Sequence, residues 1–334
     1  MDTIRIFMIG RGNVGKAFLC MLNRKMDYIR HIYNCNPQIV AIATNSLGCM
    51  VNESGIDIDK NVFETPIDSR TTIELLEQLD YDIMIELTPL NIRDGQPAIE
   101  HIKRALTREK NVITANKGPI AFAYRELSRL ASEHHACFFF ESTVMDGAPV
   151  YCLAKENLKG CQILEVEGIL NSTTNLVLQE LAKGYSFEEA VRIGQEKGIV
   201  EKDPALDLDG WDAAVKLTSL MNVLMDAQIT PKEIVREGVS GITKAHLDTA
   251  KANNCAIKVV CRGWFENGRP YGEVRPKEIP CDHILTAVNG TALAVTLTTD
   301  LLGKITIVEQ EFQPEIDQTA YGVLGDLLRI LDRR

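Results

Sequence analysis

The sequence predicts an α/β protein: a doubly wound parallel sheet with helices on both faces, followed by a second, mixed α+β domain. Three observations carry this. Apolar runs of strand length alternate with amphipathic segments of helix length through the first ~140 residues. A glycine-rich turn stands directly after the first run. Beyond Glu141 the texture changes to alternating strands and capped helices.

In chain order, the strand candidates of the first part are Ile4 to Ile9, Ile39 to Ala43, Asp82 to Leu87, Asn111 to Thr114 and Cys137 to Glu141. Between them Val14 to His31, Thr71 to Leu79, Gly95 to Arg108 and Ile120 to His134 carry apolar residues three or four apart, the spacing of one helix face. In the second part Ile163 to Leu170 alternates like a strand, and Asn171-Ser172-Thr173-Thr174-Asn175 offers caps for a following helix. Ser186 with Glu189 reads as a capping box. A helix is predicted over Asp209 to Met225, and strands over Ala256 to Phe265, Tyr271 to Arg275, Ala292 to Thr299 and Lys304 to Glu309. The final stretch, Thr319 to Leu331, aligns Val323, Leu324, Leu327, Leu328 and Leu331 on one face, so it is expected to pack back on the first domain.

Composition narrows the function classes. The 334 residues hold no apolar run near the ~20 needed to span a bilayer, so no membrane association is expected. A net charge of −10 would repel a phosphate backbone, which argues against nucleic acid and for a small-molecule partner. The start, Met1-Asp2-Thr3-Ile4-Arg5-Ile6, has no signal-peptide pattern, and nine cysteines without a Cys-x-x-Cys pair suit reduced thiols. A cytoplasmic location follows as the expectation.

Gly10-Arg11-Gly12-Asn13-Val14-Gly15 has the Gly-x-Gly-x-x-Gly spacing between a strand and a helix. The first glycine turns tightly, the second admits a pyrophosphate to the backbone, and the third lets helix and strand pack closely. Asn13 and Val14 open a helix whose unpaired N–H groups face the phosphates. A dinucleotide, NAD or NADP, is therefore the predicted cofactor. The second strand closes on Ala43-Thr44-Asn45-Ser46, without the carboxylate that usually holds an NAD ribose, and Arg11 offers a guanidinium to a 2′-phosphate. These lean toward NADP, with a plain surface arginine as the alternative for Arg11.

Two polar segments carry the candidate chemistry. Thr114-Ala115-Asn116-Lys117-Gly118 ends a strand at the sheet's carboxyl edge, where ligands of such folds bind, although Lys117 could equally be a loop lysine. Gly198-Ile199-Val200-Glu201-Lys202-Asp203-Pro204 leads through Asp207 and Asp209 to Trp211-Asp212-Ala213-Ala214-Val215-Lys216. On a helix Asp212 and Lys216 are neighbours, and the rest of that helix is apolar. An exposed pair of this kind would be an ordinary salt bridge worth about 0.3–0.5 kcal/mol.

Taken together, the glycine loop, Thr88-Pro89, Thr114 to Lys117, Glu141-Ser142-Thr143-Val144-Met145-Asp146-Gly147, Gly168 to Asn175, and Glu201 through Lys216 resemble the homoserine dehydrogenase family over nearly the whole chain. The resemblance implies a Rossmann domain over 1–141 and 310–334, a substrate-binding and dimerisation domain over 142–309, a homodimer, and interconversion of homoserine and aspartate semialdehyde. It implies Lys216 and Lys117 as catalytic residues. Glu201, Asp207 and Asp212 would bind substrate, and Thr88, Lys117 and Gly198 would join the glycine loop around the cofactor. Glu141, Val144, Asp146 and Ala148 match a segment that binds a monovalent cation in some members.

The chain departs from the family in reading Phe312-Gln313-Pro314-Glu315-Ile316-Asp317-Gln318 where a glycine loop is usual before the last helix. Pro and Glu do not permit the close backbone approach that glycine does. The sequence also ends soon after that helix, so feedback through a C-terminal regulatory domain is not expected. Two alternatives stand beside this reading: a sister dehydrogenase for another amino-acid-derived aldehyde or alcohol, and a non-catalytic dinucleotide sensor.

Overall fold

The computed structural model describes residues 1–58, 67–310 and 316–334; residues 312–315 of the departing segment lie outside the described residues. The chain divides into two compact units, Met1–Pro149 with Ile316–Arg334, and Val150–Glu315.

The first unit is built on a seven-stranded sheet of β1 (Asp2–Ile9), β2 (Cys35–Thr44), β3 (Gly48–Val51), β4 (Ile67–Asp68), β5 (Ile83–Glu86), β6 (Asn111–Thr114) and β7 (Phe138–Phe139). Their order is β4-β3-β2-β1-β5-β6-β7. β1 pairs in parallel with β2 and β5, β5 with β6, and β6 with β7, whereas β3 and β4 add antiparallel. The order thus reverses at β1 and β5, which places a crevice at their carboxyl ends. Helices α1 (Asn13–Tyr33), α2 (Thr72–Gln78), α3 (Ala98–Thr107) and α4 (Lys117–Glu133) make the crossovers.

Strand β1 is covered on both faces. Ile4, Ile6 and Met8 pack in one cluster with Phe18, Leu22 and Ile29 of α1 and with Val323, Leu324 and Leu327 of α11 (Asp317–Leu331). On the other face Phe7 meets Tyr81 edge-on, with ring centroids 5.6 Å apart. Each fully buried aliphatic side chain contributes about 1.5–3 kcal/mol. The last helix therefore belongs to the first unit, as its apolar stripe predicts.

Several boundaries move for physical reasons. α4 begins at Lys117 rather than Ile120, because the Asn116 side chain caps it by accepting the Gly118 N–H at 2.9 Å, and Pro119 is tolerated in a first turn whose N–H groups need no helical partner. α3 starts at Ala98, after Pro97, rather than at Gly95. The strand predicted over Cys137 to Glu141 shrinks to two residues. Glu141 already turns into a short 3₁₀ helix, and its N–H donates to Asp326 of α11 at 2.9 Å. β3 and β4 were not predicted; both are too short to show a period.

The second unit holds a six-stranded sheet in the order β13-β12-β8-β10-β11-β9. Its strands are β8 (Ile163–Ile169), β9 (Val235–Arg236), β10 (Cys255–Glu266), β11 (Arg269–Pro280), β12 (Leu293–Thr299) and β13 (Gly303–Glu309). All pairings are antiparallel except β9 with β11. The helices are α5 (Val150–Cys152), α6 (Ser172–Ala182), α7 (Phe187–Glu196), α8 (Ala205–Leu208), α9 (Trp211–Met225) and α10 (Lys244–Ala252). Asn171 caps α6 by accepting the Thr174 N–H at 2.8 Å, and Ser186 with Glu189 forms the expected capping box of α7. α9 starts two residues later than predicted because Gly210 takes a left-handed conformation, φ 76°. α10 escaped prediction; His246 occupies the place where a capping box carries Glu or Gln, and its Nδ1 accepts the Thr243 N–H at 3.2 Å.

Asp326 is 1% exposed, and burial, reinforced by the nearby Glu141 charge, pushes its carboxyl from 3.8 up to about 7. Between those values the folded chain holds a proton that the unfolded chain has lost, so stability falls as pH rises through the window. We expect Asp326→Asn to remove this dependence. The difference in urea stability between variant and parent should shift by on the order of a few kcal/mol in the variant's favour from acid to neutral pH. A difference that stays constant with pH would refute the assignment.

Candidate active site

At the carboxyl end of β1 the three glycines of the loop do different work. Gly10 has φ +97°, and a Cβ there would lie 2.5 Å from the Leu87 carbonyl oxygen. A Cβ on Gly15 would come within 2.9 Å of the Gly10 oxygen, so the helix packs directly on the turn. Gly12 has no neighbour within 4 Å of its Cβ position, and it caps α1 without any side-chain bond and without an acidic residue in the first turn. Open space beside unpaired N–H groups is what a pyrophosphate requires. Asn13 is exposed, while Arg11 and Val14 are half-buried, Val14 packing against the core. Beyond β2 the chain turns through Thr44, whose hydroxyl accepts the Leu47 N–H at 3.0 Å, with exposed Asn45 and Ser46 at the tip.

Two strands along, the ends of β5 and β6 are tied together. Thr88 donates its N–H, at 3.1 Å, and its hydroxyl to Oε1 of Glu86. Asn116 donates to the Thr88 carbonyl at 3.0 Å and to its hydroxyl at 3.3 Å. Lys117 follows as the half-buried first residue of α4. The structure thus places Thr88 and Lys117 on one bonded frame.

In the second unit the polar residues converge after β8. The Asn171 amide donates one bond to Asp207 Oδ1 at 2.8 Å and one to Asp212 Oδ2 at 3.1 Å. The Thr173 hydroxyl donates to Asp207 Oδ2 at 3.1 Å. The Lys216 ammonium donates to the Leu170 carbonyl at 2.9 Å and lies 3.5 Å from Asp212, with both side chains only 13% and 14% exposed. This is no solvated surface pair. Burial first, then repulsion from Asp212, raises the Asp207 carboxyl above its ordinary value. Cys261 beside them is fully buried, and its thiol is pushed up to about 12, so it offers no thiolate. Two carboxyls near one ammonium leave an excess of negative charge, which favours an added cationic group.

The structure does not bring Glu201 into this cluster. Its side chain is exposed, and its carbonyl accepts from the Gln195 amide at 3.1 Å. Gly198, φ +73°, forms the turn before it with open space around. Asn171, Thr173 and the Leu170 carbonyl are site groups that the sequence reading does not assign; it takes the polar run at this strand end as a cap and as a family-like segment, without a role in the site.

The candidate cation segment is a buried turn. Glu141 Oε2 faces the Arg329 guanidinium at 3.7 Å, and Asp146, φ +42°, accepts the Thr319 hydroxyl at 2.8 Å. Val144 and Ala148 are buried. Among the described residues no group of three or more His, Cys, Asp or Glu is placed to hold a metal ion. No helix among them is long and apolar enough to cross a membrane.

The chain matches the homoserine dehydrogenase family model over residues 149–328 and the homoserine dehydrogenase NAD binding domain over residues 10–141. It belongs to the homoserine dehydrogenase family. It is 35% identical to the homoserine dehydrogenase of Methanocaldococcus jannaschii, over 97% of this chain and 98% of that protein. It is 30% identical to the NAD(+)-dependent homoserine dehydrogenase of Pseudomonas canavaninivorans, over 99% and 97%. The crystal structure of a putative homoserine dehydrogenase from Archaeoglobus fulgidus superposes with a TM-score of 0.87 at 28% identity, covering 98% of this chain and 99% of that one. The fit of the glycine loop to a dinucleotide thus agrees with the family's NAD-binding domain.

The loop geometry separates two substitutions. Gly10→Ala meets both the left-handed φ and the Leu87 oxygen, so it should lower the thermal midpoint, the backbone term alone costing about 1–2 kcal/mol. Gly12→Val has extended backbone and free space, so the fold should melt unchanged while calorimetric dinucleotide affinity falls more than about tenfold. Unchanged affinity in the second variant would remove the loop from the cofactor site.

Proposed function

We propose that the chain catalyses the reversible, NAD(P)-dependent interconversion of L-homoserine and L-aspartate 4-semialdehyde, a step in amino-acid biosynthesis on the threonine and methionine branch. The observation that carries the proposal is the shielded Lys216 ammonium, held between the Leu170 carbonyl and Asp212. The unit of Met1–Pro149 with Ile316–Arg334 serves as the dinucleotide domain, and Val150–Glu315 as the substrate-binding and dimerisation domain.

A bound dinucleotide would supply hydride-transfer chemistry for reduction of the aldehyde and for oxidation of the alcohol. Gly10, Arg11, Gly12, Asn13, Val14 and Gly15 hold the dinucleotide, with Thr88, Lys117 and Gly198 as further contacts. Lys216 donates the proton to the carbonyl oxygen in reduction and removes it from the hydroxyl in oxidation. A cation beside that oxygen also stabilises the charge that develops there. Lys117 assists in positioning or proton transfer. Asp212, Asp207 and Glu201 supply the anionic partners of the substrate ammonium.

NADP is preferred over NAD in this reading. Support comes from the end of β2, where Thr44, Asn45 and Ser46 present no carboxylate, and from Arg11 within the loop. A monovalent cation at Glu141, Val144, Asp146 and Ala148 would bind through backbone oxygens, since Arg329 already faces the Glu141 carboxylate. A homodimer is supported by large apolar side chains on the second unit's surface, Val235, Tyr271, Leu301, Leu302 and Val308 among them. Nine free cysteines suit a reducing compartment such as the cytoplasm.

The test is oxidation of NADPH and NADH by the purified protein with aspartate semialdehyde. Saturable turnover is expected, faster with NADPH at equal concentration; no turnover with either would overturn the reading. Lys216→Met should lower kcat by about 10²–10⁴-fold with dinucleotide affinity unchanged. Collapse of dinucleotide affinity instead would assign Lys216 to cofactor binding.

A further inference from the structure

Glu86 is the last residue of β5, at the carboxyl edge of the parallel sheet, and its side chain is 0% exposed. In the register it lies beside Ile9 of β1 and Thr114 of β6, at the point where strand order reverses. Among the described residues its nearest ionisable partner is His101 of α3, with Nδ1 3.7 Å from Oε1. The other groups around it are neutral: the Thr88 N–H and hydroxyl donate to Oε1, and the Thr114 hydroxyl, which donates to the Glu86 carbonyl at 3.0 Å, lies 3.4 Å from Oε2. Burying a carboxylate without a close cation costs several kcal/mol, and an apolar residue of similar size would hold such a strand end at lower cost. A buried acid here therefore points to a task in the site.

The hydrogen-bond directions name the task. The Thr88 hydroxyl has one hydrogen and two lone pairs. Its hydrogen goes to Glu86, and one lone pair accepts from the Asn116 amide at 3.3 Å. What it has left for a ligand is a lone pair, so Thr88 can receive a hydrogen bond and cannot give one. Asn116 is itself fixed, with its N–H on the Thr114 hydroxyl at 3.0 Å and its Oδ1 on the Gly118 N–H. In a doubly wound sheet the half before the reversal takes one mononucleotide and the half beyond it takes the other. The glycine loop follows β1, so the β5 and β6 ends face the nicotinamide half, whose carboxamide NH₂ and ribose hydroxyls are donors.

The geometry points to Glu86 as a positioning residue that sets the Thr88 hydroxyl as an acceptor for the nicotinamide half of the cofactor. This rests on the dinucleotide reading above and does not depend on the identity of the substrate.

Calorimetry with the full chain tests it, using NADP, NAD and adenosine diphosphate, which lacks both the nicotinamide and its ribose. Glu86→Met removes the acceptor at similar volume, and Glu86→Gln keeps one for Thr88. We expect Glu86→Met to weaken the dinucleotides by about tenfold, the loss of one oriented hydrogen bond, with adenosine diphosphate bound as in the parent. Glu86→Gln should restore most of the affinity. In a Thr88→Val background, Glu86→Met should add little further loss. Equal weakening of all three ligands, a Glu86→Met loss that persists undiminished in the Thr88→Val background, or unchanged affinity in Glu86→Met would each overturn the inference. In that last case retained turnover by the parent chain leaves the proposed reaction standing. A parent that binds the dinucleotides but turns over no aspartate semialdehyde overturns the reaction alone.

Discussion

The site in the first unit depends on burial of β1 on both faces. A strand covered on one side can tilt or slip, but β1 is held by parallel ladders to β2 and β5, with α1 and α11 against Ile4, Ile6 and Met8 and Tyr81 against Phe7. Its carboxyl end is therefore a fixed reference. The turn at Gly10 is built on it, with the Gly10 N–H on the Ala43 carbonyl at 2.8 Å and the Leu87 N–H on the Ile9 carbonyl at 2.7 Å. These two bonds tie the ends of β2, β1 and β5 together, so loops after three strands share one frame without contacting a ligand. Pre-organisation of this kind costs nothing at the moment of binding.

In the second unit the corresponding constraint is electrostatic. Asp207 and Asp212 repel each other, and they stay close because one Asn171 amide donates to both and Lys216 stands beside Asp212. Lys216 is in turn anchored by the Leu170 carbonyl, the residue after β8, so a helix and a strand end meet at one ammonium. Removing any one member takes a partner from a shielded neighbour, a larger loss than a surface pair would show. The raised Asp207 carboxyl is the signature of that crowding.

Most of the first unit was legible because its signals are long: a 21-residue amphipathic α1, a buried apolar β1, and glycines whose three roles are separately visible in the structure. β3, β4 and β9 have four residues or fewer, too few for a period of two to stand out. The Asp212 and Lys216 pairing was readable from helical spacing, but whether the pair was solvated was not, since that depends on β8 and α6 packing around it. Asn171 illustrates the same limit. A capping asparagine uses its carbonyl oxygen, and the sequence says nothing of where its amide hydrogens go; here they go to two aspartates. Glu201 shows the reverse, a motif position whose side chain the fold leaves exposed and outside the cluster.

Glu86 was invisible for a further reason. In sequence it is one polar residue closing an apolar strand, where an outward, solvated glutamate is the ordinary expectation. Only the parallel neighbours β1 and β6, together with α3 and the Thr88 loop, turn that position into an interior one. The same contrast separates Asp326 from an ordinary helix-surface aspartate: α11 buries it against the Glu141 turn, where it accepts the Glu141 N–H and pairs with Arg329 at 3.1 Å. In both cases the charge sits where a strand gives way to irregular backbone whose N–H groups need acceptors. A carboxylate offers about four acceptor sites, where an amide oxygen or a hydroxyl offers two. That is a physical reason for Glu86 and Asp326 to be acids where each meets the end of a strand.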